Sequence, residues 1–265
     1  MKTPLALVSL GVAFWPVWRW YALRMADGSD EKWGLLSLAT VLLLAWVQKK
    51  DGRDRRPPLV LLGAVVVAYI AAYPFVPPLI RAAVAVTALG IVLGRSRFGS
   101  AFHPASWGLL LLSLPVAASM QYYLGYPLRV LAAKATALLV SLAGFPVSAQ
   151  GTGLLWEGET VLVDAPCSGV RMLWAGMWLA FTLAGFFGLG AARTVVVGAL
   201  ALVAVVAGNA LRATILFFGE SGIFRWPDWV HPAVGLACFA AVAGFLFWIT
   251  KRLDEEAPCR PARFS

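Results

Sequence analysis

Apolar residues run in long blocks, and the breaks between blocks carry the prolines and most of the charge. The blocks fall at about Thr3–Trp18, Trp33–Val47, Leu59–Tyr73, Leu79–Leu93, Pro104–Met120, Cys167–Leu189, Thr194–Phe218 and His231–Thr250. A helix needs about 20 predominantly apolar residues to cross the hydrocarbon layer of a bilayer, so these eight blocks predict eight membrane-spanning helices. Trp15, Trp18, Trp20 and Tyr21 form an aromatic belt at the end of the first block, where Arg19 can snorkel to the interface. No small-residue cleavage site follows, so this block reads as a retained helix. Pro74, Pro77 and Pro78 separate the third block from the fourth. Pro127–Phe145 is apolar as well, but it places Arg129 and Lys134 among Leu128, Val130, Leu131, Leu138, Leu139 and Leu142. That pattern predicts an amphipathic helix lying on the outer surface of the membrane. Leu154–Val163 reads as a short β-hairpin with Glu157-Gly158-Glu159 at its turn. The predicted class is an all-α polytopic membrane protein: about eight spans, one outer amphipathic helix and a short outer hairpin.

Composition sharpens this picture. Of 265 residues 60% are apolar and 13% charged, against about 45–50% and about 25% in soluble domains. An ordinary soluble enzyme, a disordered chain and a secreted disulfide scaffold are excluded. The net charge of +9 sits in loops between apolar blocks rather than along one stripe, so it reports topology and not nucleic-acid binding. Residues 49–56 hold five Lys/Arg in eight, which marks that loop as cytoplasmic. Arg95 with Arg97, Arg193, and Lys251 with Arg252 mark the same side. Six blocks lie between residues 49–56 and 251–252, and an even number of crossings is required. A spanning Pro127–Phe145 would break that parity. Both termini are therefore expected in the cytoplasm, and residues 121–166 outside.

With this topology three polar groups reach one level at the outer face. Cys167 opens one helix, Asn209 and Arg212 lie near the outer end of the next, and His231 opens the last. A thiol becomes a strong nucleophile as the thiolate. Pro166 at a permitted first-turn position and Asp164 as cap would set Cys167 in the positive field of a helix start. Arg171, four residues on, would share its face. The Asp164 carboxylate opposes a thiolate, so it is expected to face the backbone and not the sulfur. Arg212 can stabilise the negative charge that develops on a carbonyl oxygen under attack, and an imidazole such as His231 carries protons near neutral pH. Each residue also has a plainer reading. A lone Cys in an apolar helix is usually a small core residue, which suits Cys238; Cys259 reads as a reduced surface thiol. Arg212 could snorkel, though an intramembrane arginine is functional by default. His231 could cap a helix beside Pro232, and His103 reads as an interface residue. Asn209 either orients Arg212 or glues helices together. Glu157 and Glu159 read as solvated turn charges. The three cysteines form no CxxC pair, so neither a disulfide nor a metal site is expected, and no cofactor.

Ala165-Pro166-Cys167-Ser168-Gly169-Val170-Arg171, then Gly208-Asn209-Ala210-Leu211-Arg212, then His231-Pro232-Ala233-Val234-Gly235 resemble the exosortase/archaeosortase family. Gly144-Phe145-Pro146-Val147 is also like the family's region before the cysteine. The resemblance covers about residues 110–250. It implies spanning helices in residues 1–103 and a catalytic core in 104–265 with a short cytoplasmic tail. It also implies a cysteine transpeptidase of the inner membrane, with Cys167 as nucleophile, Arg212 as oxyanion stabiliser and His231 as general acid and base. Arg171, Asn209 and Ser168 would support them. The implied partners are exported proteins ending in a short motif such as Pro-Glu-Pro, a transmembrane helix and a basic cluster, together with an acceptor nucleophile. Two other readings remain open from the residues alone. Arg212 and Arg171 could line a path for an anionic solute through a transporter, or the chain could scaffold an exopolysaccharide assembly.

Overall fold

The computed structural model describes residues 3–27, 32–47, 57–163 and 165–256. The basic loop at 49–56, Cys259 and the expected cap Asp164 lie outside the described residues. Ten α-helices are described: α1 (Thr3–Ala13), α2 (Trp15–Ala26), α3 (Trp33–Val47), α4 (Leu59–Ala72), α5 (Pro78–Leu93), α6 (Pro104–Leu112), α7 (Ala117–Leu142), α8 (Val170–Phe187), α9 (Ala191–Glu220) and α10 (Val230–Glu255). Among the described residues four helices are long and apolar enough to cross a membrane: α5 with its π-helical extension to Phe98, α8, α9 and α10. The bent pair α6–α7 makes a fifth if taken as one broken span. α1, α3 and α4 are apolar but have only 11, 15 and 14 residues, short of the about 20 that span a bilayer.

Several expected boundaries move, each for a local reason. The first block is not continuous to Trp18: it breaks at Phe14 and resumes as α2. Pro16 has no N–H to continue the ladder, and its ring clashes with the carbonyl four residues back. The block expected at Pro104–Met120 is also broken. α6 ends at Leu112 and α7 begins at Ala117, because Pro115 disfavours helix at Leu114. The amphipathic segment expected at Pro127–Phe145 falls, as far as Leu142, in this longer α7, which carries Pro127 inside it. The hairpin gains a strand. β1 (Ser148–Gln150), β2 (Gly153–Trp156) and β3 (Glu159–Leu162) form an antiparallel sheet in the order β1-β2-β3. β1 is three small or polar residues with no alternating apolar signal, so only its pairing with β2 and packing on α7 define it. The second turn is tighter than expected. Trp156 pairs with Glu159, leaving Glu157 and Gly158 at φ of 48° and 86°, the two left-handed residues that a type I′ hairpin requires.

The described chain forms two compact units. In the first, residues 1–116 with 184–195, α5 is the hub, packing against α1, α2, α4 and α6. Ala82, Ala85, Ala88 and Gly90 let its neighbours approach closely. α6 is tied down by side chains from elsewhere: Ser37 Oγ donates to the Leu109 carbonyl at 2.7 Å and the Tyr21 hydroxyl to the Ser113 carbonyl at 2.9 Å. The Leu109 carbonyl already accepts the Ser113 N–H, so the serine adds a second bond there, while the tyrosine reaches a carbonyl just past the helix end. At its start His103 is the N-cap, its Nδ1 accepting from the Ser106 N–H at 3.3 Å. Gly34 of α3 lies under the end of α6, where an added Cβ would collide with the Ser113 carbonyl oxygen. Backbone cannot swing aside as a side-chain tip can. Gly34→Ala is therefore expected to destabilise this unit by roughly 1–3 kcal/mol, measurable as a lower melting temperature in detergent. Gly63→Ala, with nothing within 4 Å of the new methyl, should leave it unchanged.

The second unit, residues 117–183 with 196–265, holds α7, the sheet, most of α8 and α9, and α10. α7 buries Ala132, Ala133, Thr136, Ala137 and Val140 and exposes Leu131, Leu138, Leu139 and Leu142 around Lys134. Small residues inside and leucines outside is the pattern of a helix packed in lipid. Under the sheet Ala133, Ala137, Val140, Val147, Leu154, Val163 and Phe217 form one buried cluster. Phe145, Trp156, Phe218 and Cys167 pack against it from partly buried positions.

Candidate active site

Residue 167 does not open an α-helix as expected. It lies in a 3₁₀ turn, Ala165–Ser168, and α8 begins only at Val170. Gly169 separates them with a left-handed φ of 80°, and its carbonyl accepts the Leu173 N–H at 2.8 Å. Cys167 is thus outside the first turn of α8. The expected field of the helix start is weakened, and four-residue spacing no longer puts Arg171 on the cysteine's face, because that rule holds only within a continuous helix. Arg171 is exposed at the start of α8.

What holds the cysteine turn is a set of polar contacts from neighbouring helices. Asn209 of α9 donates from Nδ2 to the Cys167 carbonyl at 3.1 Å. Asn209 is only 4% exposed, so this charge-free bond forms away from competing water and is costly to lose. Of the two roles open to Asn209, orienting Arg212 or joining helices, the bond seen among the described residues is of the joining kind. Ser168 donates from its hydroxyl to Gln121 Oε1 at 3.1 Å and accepts the Val170 N–H at 3.4 Å. It links the turn to both α7 and α8. Gly169 is required here twice over. Beyond its φ, an added Cβ would lie 2.7 Å from Asn209 Cγ and 2.8 Å from Asn209 Nδ2. The Cys-Ser-Gly sequence is thus a carbonyl held by Asn209, a hydroxyl tether and a residue small enough to admit the asparagine. Ser168, Gly169 and Asn209 also line a small pocket of about 20 Å³, closed by Leu128, Leu131 and Leu173 and large enough for about one water.

Arg212 follows Asn209 by three residues, about 4.5 Å of rise along α9. Its guanidinium lies against α10 at Gly235: a Cβ there would sit 3.3 Å from Arg212 Nε. Glycine opens the room this side chain occupies. The Arg212 Nε and the Asn209 Oδ1 are both buried with no hydrogen-bond partner among the described residues. Such groups are rare and costly in folded proteins and need a reason. His231 is one turn before Gly235 on the same face of α10. It is about half exposed, with Nε2 at 3.8 Å from Glu220 Oε1 at the end of α9. This pair is charged on both sides only when His231 is protonated, and at such exposure it contributes little to stability. α9 and α10 thus present an arginine and a histidine on facing stripes. α9 separately holds the cysteine turn by Asn209.

Sequence reasoning missed Gln121 and Glu220. Gln121 is an amide among tyrosines where no span or motif had been assigned, and Gly125 one turn later leaves space for it: a Cβ there would lie 2.7 Å from Gln121 Nε2. A lone amide followed by glycine four residues on, at the edge of an apolar block, was the available signal. Glu220 carried none, since its meeting with His231 depends on where α9 ends. Cys238 is buried on α10, as its flanking apolar residues suggested. Among the described residues no group of His, Cys, Asp and Glu could hold a metal ion.

Comparison with known proteins extends the motif resemblance along the chain. Neither the curated proteins nor the solved structures give a match. The family of transmembrane exosortases (Exosortase_EpsH) matches residues 4–248, so the likeness includes the first hundred residues, where no motif was legible. With a match over nearly the whole length, and four helices among the described residues apolar enough to cross a membrane, the chain belongs to the transmembrane exosortase family.

Proposed function

We propose that this protein is a membrane-embedded cysteine transpeptidase that cleaves a C-terminal sorting signal from exported proteins and transfers them to an acceptor. The observation that carries the reading is the unfilled Nε–H of Arg212, buried one helical turn from the asparagine that grips the Cys167 carbonyl. A fixed donor without an acceptor is suited to a charge that exists only during reaction. Cys167 Sγ, as thiolate, attacks the carbonyl carbon of the scissile peptide bond. A C–S bond forms and Arg212 stabilises the oxyanion. The C–N bond then breaks, and His231 gives a proton to the departing amine. The acceptor, an amine or water, next loses a proton to His231 and attacks the thioester. The C–S bond breaks and the thiolate returns. Ser168, Gln121 and Asn209 hold the turn, which keeps sulfur and carbonyl in a reactive geometry. Arg171 sits at the rim, exposed towards an incoming chain.

The substrate in this reading ends in a short motif, a hydrophobic helix and a basic cluster, and its helix enters the bilayer beside the enzyme. We place the reaction at the outer face of the inner membrane, with both termini cytoplasmic. The eight-span arrangement counts α1, α3 and α4 as short spans and α6–α7 as a broken one. The test is covalent capture. With a tripartite-tailed precursor from the same genome and no added acceptor, a hydroxylamine-sensitive adduct should form between the enzyme and the precursor's N-terminal fragment, and peptide mapping should place it on Cys167. Cleavage that proceeds with no such adduct at any time point would refute the thioester mechanism.

A further inference from the structure

We propose that the free edge of β3 receives the substrate's extended segment as a fourth strand and delivers its scissile carbonyl to Cys167. This rests on the peptidase reading above and names how that site takes its peptide. The ladder fixes which backbone groups are on offer. Val163 N–H donates to the Thr152 carbonyl at 2.9 Å, and the register pairs Leu162 with Gly153, Val161 with Leu154, Thr160 with Leu155 and Glu159 with Trp156. In an antiparallel pair, bonded residues alternate with residues whose N–H and C=O point the other way. With Val163 bonded inward, Val161 and Glu159 are bonded inward too. Thr160 and Leu162 therefore aim their N–H and C=O groups away from β2, at an edge that no strand occupies among the described residues.

Three observations select this edge and this occupant. Thr160 is exposed and Leu162 is 58% exposed, whereas the sheet packs on α7 through β1 and β2. An exposed edge of unpaired donors and acceptors is a ready template for another extended chain. β3 also leads without an intervening element to the cysteine turn, with Leu162 five residues before Cys167. A chain paired along β3 is thereby steered onto the sulfur. The end of β3 nearer α8 is the end nearer the bilayer, because α8 is a candidate span that starts at Val170. A substrate whose motif precedes its membrane helix must run towards the bilayer as it passes Cys167. It therefore runs parallel to β3, with alternate residues bonded to Thr160 and Leu162 and the others facing away.

The experiment follows processing of a tripartite-tailed precursor from the same genome. Leu162→Pro deletes the outward N–H but no bond to β2, and proline is tolerated where an edge strand's N–H faces away from the sheet. Leu162→Ala removes the side chain and keeps the N–H. Leu162→Pro should slow processing by roughly tenfold, as the loss of one interchain hydrogen bond predicts. That loss is read against Leu162→Ala, which keeps the outward N–H, and a thiol probe should label Cys167 equally in both. Cross-linking gives a second readout that does not depend on the proline variant folding. In a Cys167→Ala background, Leu162→Cys should cross-link through a short thiol-reactive spacer to single cysteines stepped along the precursor, at alternate positions only. Cross-links at consecutive positions, at none, or to a second copy of the enzyme overturn strand pairing, as does wild-type processing by Leu162→Pro. If Cys167→Ala still processes the precursor, the peptidase reading fails. If it is inactive while Leu162→Pro is normal, only the strand pairing fails.

Discussion

Cys167→Ala is expected to abolish precursor processing, to below about a thousandth of the wild-type rate, since a reaction through a covalent intermediate has no route without its nucleophile. The variant should still insert and accumulate. Cys167 is partly buried and only borders the cluster around Leu154 and Phe217, so losing one sulfur removes few contacts. Its backbone carbonyl, which Asn209 grips, is untouched by the substitution. Cys167→Ser divides the readings further. A hydroxyl is far harder to ionise than a thiol, so a peptidase loses nearly all activity with serine, whereas a scaffold for polysaccharide assembly keeps full function. An anion transporter built on Arg171 and Arg212 would also survive both changes and instead lose flux when either arginine is removed. Membrane yield, protease protection of the outer segment and precursor processing, measured together, separate these outcomes.

The second large effect is expected from a residue with no chemistry of its own. Gly169→Ala meets two penalties. A φ of 80° costs a residue bearing a Cβ roughly 1–2 kcal/mol. The new methyl also falls 2.7 Å from Asn209 Cγ, an overpacking that costs roughly 1–3 kcal/mol. The asparagine can relieve this only by moving, and its amide is what holds the Cys167 carbonyl. Processing should therefore fall by about a hundredfold or more, through displacement of the turn. Asn209→Ala removes the collision but not the φ penalty, and it leaves the Cys167 carbonyl without this donor. The double variant should be more stable than the sum of the two singles predicts, with a coupling of roughly 1–2 kcal/mol. Thermal unfolding in detergent and processing by all four proteins form the cycle. Strict additivity, or wild-type stability of Gly169→Ala, would remove the packing argument.

The apolar blocks were legible because a bilayer imposes one simple demand, a long run of side chains that lipid tolerates. Each of the eight blocks contains helix in the structure. What the blocks did not reveal was where helices stop. The breaks at Phe14 and at Ser113–Val116 turn on Pro16 and Pro115, single residues whose effect is local and was masked by hydrophobic surroundings. β1 was invisible for a different reason: Ser148–Gln150 has no strand pattern, and its partner β2 supplies the hydrogen bonds that make it a strand.

The candidate site divides in the same way. The sequence by itself determined the residue types, a cysteine before Ser-Gly, an arginine after Asn, and a histidine at a helix start, together with the family they resemble. Their chemistry is intrinsic to the side chains and survives without a fold. Only the tertiary structure decided that Asn209 holds the Cys167 carbonyl, that Gln121 tethers Ser168, that Gly235 makes room for Arg212, and that no strand among the described residues covers the outer edge of β3. Those partners are 42 residues apart for Asn209 and 47 for Gln121. Hydrogen bonds act over about 3 Å, so no spacing along the chain encodes them until packing brings the helices together.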